Sequence, residues 1–177
     1  MSEVHPYVKL ARVTVEQLLN GKTLPASGAA VESDSDMWNK ERACFVSIKT
    51  QAGALRGCIG TILPAQSSLD MEIIANAVAA STRDPRFPPM TPPELEGVTF
   101  SVDVLGLPEP VLDRGELDPS VWGVIVTQGF RRGVLLPDLE GVDTVEEQLG
   151  IAAQKAGIWK IDSGVTIERF RVDRYKE

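Results

Sequence analysis

Residues 43–63 read ACFVSIKTQAGALRGCIGTIL, two apolar runs joined by a short polar turn. Ala43 to Lys49 alternates apolar and polar positions, which predicts a half-buried strand. Gln51-Ala52-Gly53 supplies a turn, and Leu55 to Leu63 returns as a second strand. Side chains along a strand repeat every two residues, so Arg56 and Cys58 share one face. Gly57 and Gly60 flank the cysteine, and a glycine lets another backbone or a ligand come close.

The pattern continues on both sides of this hairpin. Pro6 suits the first position of a helix, and Tyr7, Leu10, Ala11, Thr14, Val15, Leu18 and Leu19 follow at helical spacing before Gly21. Lys22 to Arg42 is a long polar stretch, expected to be a functional cover or a mobile segment. Ser67 or Ser68 can cap a helix running to about Ser81. Three prolines forbid regular structure across Arg83-Asp84-Pro85-Arg86-Phe87-Pro88-Pro89. Thr91 with Glu94 reads as a capping box for a short helix, and Thr144 with Glu147 as a second one for a helix stopping at Gly157. Strands are expected over 98–105, 122–127, 133–136 and 165–172, with Gln128 to Arg132 as a hairpin loop. Paired strands with helices between some of them predict an α+β fold, a largely antiparallel sheet with packed helices, in one domain spanning 1–177.

Composition narrows the function. The chain has 177 residues, 43% hydrophobic and 24% charged, the balance of a globular protein. No apolar run approaches a membrane span, and MSEVHPYVKLAR has no secretory h-region, so a cytoplasmic protein without membrane attachment is expected. A net charge of −7 argues against general binding to nucleic acid. Two cysteines and one histidine (His5, expected as a water-exposed helix start) exclude a disulfide framework, a zinc cage and an ordinary Ser-His-Asp triad. Gly57-x-x-Gly60 lacks the spacing and lysine of a phosphate loop, and neither a cofactor nor a metal is expected.

Two readings stand for Cys58. As a free cysteine on a strand it can be a small core residue, with the glycines making room for a helix. As a thiol near Arg56 it can be a nucleophile or a covalent attachment point, because a guanidinium favours the thiolate. On that reading Arg56 and Cys58 are catalytic, and the amides around Gly57 and Gly60 stabilise a developing oxyanion. Thr61, Arg83, Asp84 and Arg86 complete a binding site for a small anionic substrate, since arginine forks match carboxylates and phosphates. The plainer reading of Arg83, Asp84 and Arg86 is a structural knot, in which the aspartate satisfies loop amides. Cys44, on the facing strand, reads as core. Arg131 and Arg132 fall at the expected hairpin tip.

Five segments occur in order: LRGCIGT at 55–61, DPRFPPMT at 84–91 followed by PPELEGVTFSVDVL, PEPV at 108–111, GVIVTQGFRRGVLLPD at 123–138, and QKAGI at 154–158. Together they resemble the family of the AMME-syndrome chromosomal-region candidate protein, the AMMECR domain, over nearly the whole chain. The resemblance implies an α+β fold whose larger and smaller parts meet at a cleft. It also implies a pathway shared with a Memo-like protein and a radical SAM protein as partners. Ala153 stands where that family often carries a cysteine. The combined expectation is an enzyme or enzyme component binding a small anionic substrate beside Cys58. The alternative is a non-catalytic binding or scaffold module for a protein or nucleic-acid partner.

Overall fold

The structure, a computed structural model, describes residues 4–26 and 40–177. Most of the polar stretch expected between Lys22 and Arg42 lies outside the described residues. The chain forms two compact units, Met1–Val104 with Asp173–Glu177, and Leu105–Val172.

The first unit holds helices α1 (Pro6–Leu19) and α2 (Leu69–Thr82) and strands β1 (Cys44–Thr50), β2 (Leu55–Gly60), β3 (Val98–Leu105, whose last residue belongs to the second unit) and β8 (Val172–Lys176, whose first residue does too). Its sheet runs β2-β1-β3-β8. Val46 and Ile48 from β1 and Phe100 and Val102 from β3 bury one face against Val8, Ala11 and Val15 of α1 and Leu69, Ile73 and Ala77 of α2. The alternation in the sequence produces this directly, since every second residue of β1 and β3 turns to the helices. His5 caps α1, accepting from the Tyr7 N–H at 3.3 Å, and its ring stacks on Tyr175 at 4.0 Å. It is therefore a packed, half-buried residue rather than a water-exposed one, and burial lowers its pKa.

The register sets out the other face row by row. Ser47 stands opposite Cys58 on β2 and opposite Ser101 on β3; Phe45 stands opposite Gly60 and Asp103; Lys49 stands opposite Thr99. β8 runs antiparallel to β3, because Gly106 N donates to Arg171 O and Glu177 N to Phe100 O. That register puts Lys176 opposite Ser101 and Arg174 opposite Asp103, where Arg174 Nε and Nη2 bind the two carboxylate oxygens at 2.8 and 3.1 Å. Directly opposed residues lie on the same side of a sheet. Cys58, Ser47, Ser101 and Lys176 therefore form one line across all four strands.

The second unit holds β4 (Glu109–Pro110), β5 (Gly123–Gln128), β6 (Arg131–Leu135), β7 (Thr166–Phe170) and α3 (Val145–Lys155). Its sheet runs β4-β7-β5-β6, with Val124, Val126 and Leu135 packed on Leu149 and Ala152 of α3. Gly150 sits in α3, exposed, with nothing near the place of a β-carbon. Gly150→Ala should raise stability by about 0.5–1 kcal/mol, since glycine inside a helix costs that much against alanine. Urea denaturation of the two proteins checks it.

Several expected boundaries move. β2 ends at Gly60 instead of Leu63: Thr61 N still donates to Cys44 O, but the Thr61 hydroxyl turns to Glu72 and Pro64 follows. The Thr91–Glu94 segment is a 3-10 helix, Pro92–Gly97, because its two leading prolines leave few amides for helical bonds. The hairpin between β5 and β6 is tighter than expected, with only Gly129 and Phe130 between the strands. Arg131 and Arg132 are thus strand residues, held by the Gly157 carbonyl at 2.9 Å and Glu168 at 3.0 Å. The single strand expected over 165–172 is two. β7 and β8 lie in different sheets with Arg171 between them, and the chain passes from the second unit to the first between Val172 and Asp173. Among the described residues no helix is long and apolar enough to cross a membrane.

Candidate functional site

β2 is the outer strand of its sheet, so its outward N–H and C=O groups need partners. The 84–90 loop supplies them. Asp84 Oδ2 accepts from the Cys58 N–H at 2.9 Å, and Arg86 Nη2 donates to the Cys58 carbonyl at 3.2 Å. The loop is itself tied by Asp84, whose two oxygens accept from Arg86 Nε (2.9 Å), Nη2 (2.7 Å) and N (3.1 Å). Met90 N then donates to Ser81 O, which returns the loop to the end of α2. LRGCIGT and DPRFPP thus form one construction, an aspartate–arginine clip along the edge of β2.

Cys58's N–H and C=O point outward, so it and Ser47 form the closer, non-hydrogen-bonded kind of antiparallel pair. The Ser47 hydroxyl donates to Cys58 Sγ at 3.1 Å. The cysteine is held through its amide, its carbonyl and its sulfur, yet it is only partly buried. Cys44 is the opposite case. It is fully buried against α2, Asn76 Nδ2 donates to its carbonyl at 3.0 Å, and burial pushes its thiol up to about 12. Both cysteines are free.

The two glycines make room. A β-carbon on Gly57 would overlap the Ala80 carbonyl of α2, and one on Gly60 would overlap the Phe45 ring and the Cys44 carbonyl. With Cys58's groups outward, those of Gly57 face β1 and belong to the ladder, which leaves Gly60's amide as the outward neighbour. Thr61's hydroxyl binds Glu72, whose other oxygen accepts from the Ala65 and Gln66 amides at 2.9 and 2.8 Å. That threonine anchors a turn.

Arg56 makes its bonds away from the thiol. Nε meets Glu94 at 2.7 Å and Nη2 the Pro88 carbonyl at 3.0 Å, while Nη1 is buried with no partner among the described residues. The cation that touches Cys58 is Arg86, whose Nη2 donates to the Cys58 carbonyl. Its pKa is raised first by the hydrogen bond to Asp84 and, to a smaller degree, by the charges of Asp84 and Cys58, against desolvation. Phe87 lies between the two guanidiniums, 5.8 Å from Arg56 and 5.6 Å from Arg86. Arg83 is exposed, and its side chain has no partner among the described residues. Asp103 and Glu109 pair separately with Arg174 and Arg169.

The clip's carboxylates make it acid-sensitive. The Arg86 hydrogen bond holds Asp84 well below the usual range, and the Arg56 hydrogen bond brings Glu94 from 4.5 to about 2 against the opposing effect of burial. A lowered folded pKa means stability present above the ordinary value and lost as pH falls through the folded one. Stability should therefore drop between about pH 4.5 and 2. Glu94→Gln should flatten that slope in urea titrations at several pH values.

Sequence reasoning found the two motifs but not Ser47, Glu72 or the Arg56–Glu94 pair. Ser47 was reachable: once the 51–53 turn is placed, it falls opposite Cys58. Glu94 was read only as a cap, and it serves both Thr91 and Arg56.

Comparison with known proteins finds relatives that match nearly the whole chain. A Thermotoga maritima protein is 51% identical over 173 residues, covering 97% of this chain and 98% of its own. Protein CA_C1420 of Clostridium acetobutylicum is 49% identical over 180 residues, and this chain spans 36% of its length. The crystal structure of PH0010 from Pyrococcus horikoshii superposes with a TM-score of 0.84 at 27% identity, over 97% of this chain and 89% of that one. Residues 8–175 match AMMECR1, and the chain belongs to the AMMECR1 family.

Proposed function

We propose that this chain works as an enzyme or enzyme component through Cys58, in reaction with a small anionic substrate. The observation that carries this reading is the treatment of one half-exposed thiol. Asp84, Arg86 and Ser47 each fix a different atom of Cys58 and leave the residue partly exposed. Cys44 is also held, by Asn76 at its carbonyl and its sulfur, but it is fully buried, so partial exposure is what sets Cys58 apart. Arg86 replaces Arg56 as the nearby cation in this reading, and Arg83 is the arginine free to meet an anion. Gly60's outward amide is the donor placed to face an oxyanion. Memo-like and radical SAM partners would place the reaction in a shared pathway.

Paired alkylating agents test it. Iodoacetate carries the negative charge that iodoacetamide lacks. The ratio of their rates at Cys58 should exceed the ratio measured on the unfolded chain, and Arg83→Gln should lower it. Equal ratios in folded and unfolded protein would contradict an anionic substrate.

A second reading, a binding module for a protein partner, has its own observation. Phe130 and Trp159 are 95% and 92% exposed on the second unit. On that reading, proteins retained by the chain from its own cell extract are lost with Phe130→Ser/Trp159→Ser and kept with Cys58→Ser.

A further inference from the structure

The line Cys58–Ser47–Ser101–Lys176 does not end on bare surface. Where Ser101 and Lys176 meet the neighbouring Lys49–Thr99 pair, the sheet face holds a depression of about 230 Å³. It is lined by Lys49, Thr99, Phe100, Ser101, Lys176 and Glu177. Its charge is unusual for a chain of net −7. The Glu177 carboxylate is neutralised in place: Arg12 binds it through Nε at 2.5 Å and Nη2 at 2.7 Å, and the Phe100 N–H donates to it at 2.9 Å. Lys49 and Lys176 have no such partner among the described residues. Two ammonium-bearing and two hydroxyl-bearing residues therefore line one hollow, and the Glu177 side-chain carboxylate beside them is already answered by an arginine.

We propose that Lys49, Thr99, Ser101 and Lys176 seat the phosphate or carboxylate end of a small molecule whose other end reaches Cys58. Ammonium groups and hydroxyls supply point charges and rotatable donors to tetrahedral or planar anions alike. Strands lie about 4.8 Å apart, so Ser101 is about 10 Å from Cys58 across Ser47. A ligand of that length would lie along the row, its charged end in the hollow and its reacting group at the sulfur. The inference rests on the Cys58 reading for the second half of that statement, while the anion seat stands on its own geometry.

The test uses inorganic pyrophosphate and, in parallel, succinate, followed by amide chemical shifts of the labelled protein. Saturable binding should move the signals of Ser47, Lys49, Thr99, Ser101 and Lys176. Lys49→Gln/Lys176→Gln should weaken it at least about tenfold, as expected when two cationic donors leave one anion. Lys22→Gln/Lys160→Gln, which removes the same charge from exposed positions elsewhere, should leave it unchanged. The stronger of the two probes identifies the anion class. Equal weakening in both double variants, or shifts confined to other residues, would overturn the seat. Repeating the titration on Cys58→Ser separates the two ideas. Anion binding beside an inert Cys58 keeps the seat and removes the thiol, whereas a reactive Cys58 with no anion binding removes the seat alone.

Discussion

Asp84→Ala should lower the unfolding free energy by about 2–4 kcal/mol, the usual cost of breaking a buried ion pair, taken toward its lower end. The reduction applies because Arg86 is half in water, with 54% of its side chain exposed against 2% for Asp84. The substitution removes the partner of the Cys58 amide and three bonds from Arg86 together. It also reopens the edge of β2, where an unanswered amide and carbonyl invite pairing with another chain. Asp84→Asn keeps the shape and loses the charge, so it should cost less. Urea denaturation followed by circular dichroism reads both variants. A midpoint unchanged in Asp84→Ala would show that the loop does not hold the strand.

Gly57→Val should be at least as damaging. Overpacking commonly costs about 1–3 kcal/mol when neighbouring side chains can adjust. Here the obstacle is the Ala80 carbonyl, part of the backbone of α2, which cannot rotate away. The helix must lift from the sheet or the strand must leave its register, so a loss above that range is expected. Gly60→Val meets the Phe45 ring and the Cys44 carbonyl, and should cost somewhat less because the ring can turn. Cys58→Ser should be mild beside either, since the side chain is partly open. Equal stability of Gly57→Val and the parent protein would mean that α2 does not pack on β2 as described.

The fold was legible where side-chain periodicity carried it. β1, β3, α1, α2 and α3 follow from alternation or helical spacing, and the two capping sequences were both used. The sheet order was not legible, because register between strands distant in sequence depends on tertiary contacts. The run 165–172 illustrates this: its apolar pattern reads as one strand, yet Arg171 divides it between two sheets. The candidate site was legible as residue types and not as bonds. Arg56 and Cys58 lie on one strand, but the ladder slips register at Arg56, and the sequence could not show that Glu94 takes the guanidinium and Ser47 takes the sulfur. The two readings of Arg83, Asp84 and Arg86 separate along the same lines. Asp84 and Arg86 form the structural knot, and the Arg83 side chain has no partner among the described residues.

The claim that this construction serves an accessible, positioned thiol has one direct measurement. Native protein is treated with iodoacetamide at several pH values, and each cysteine's modification is followed by mass spectrometry. Cys58 should label in the folded state, and Ser47→Ala should change its rate by removing its hydrogen-bonding partner. Cys44, buried and pushed up to about 12, should label only on unfolding. Cys58 labelling as slowly as Cys44, with both released together by denaturant, would contradict the account and leave Cys58 a packing residue.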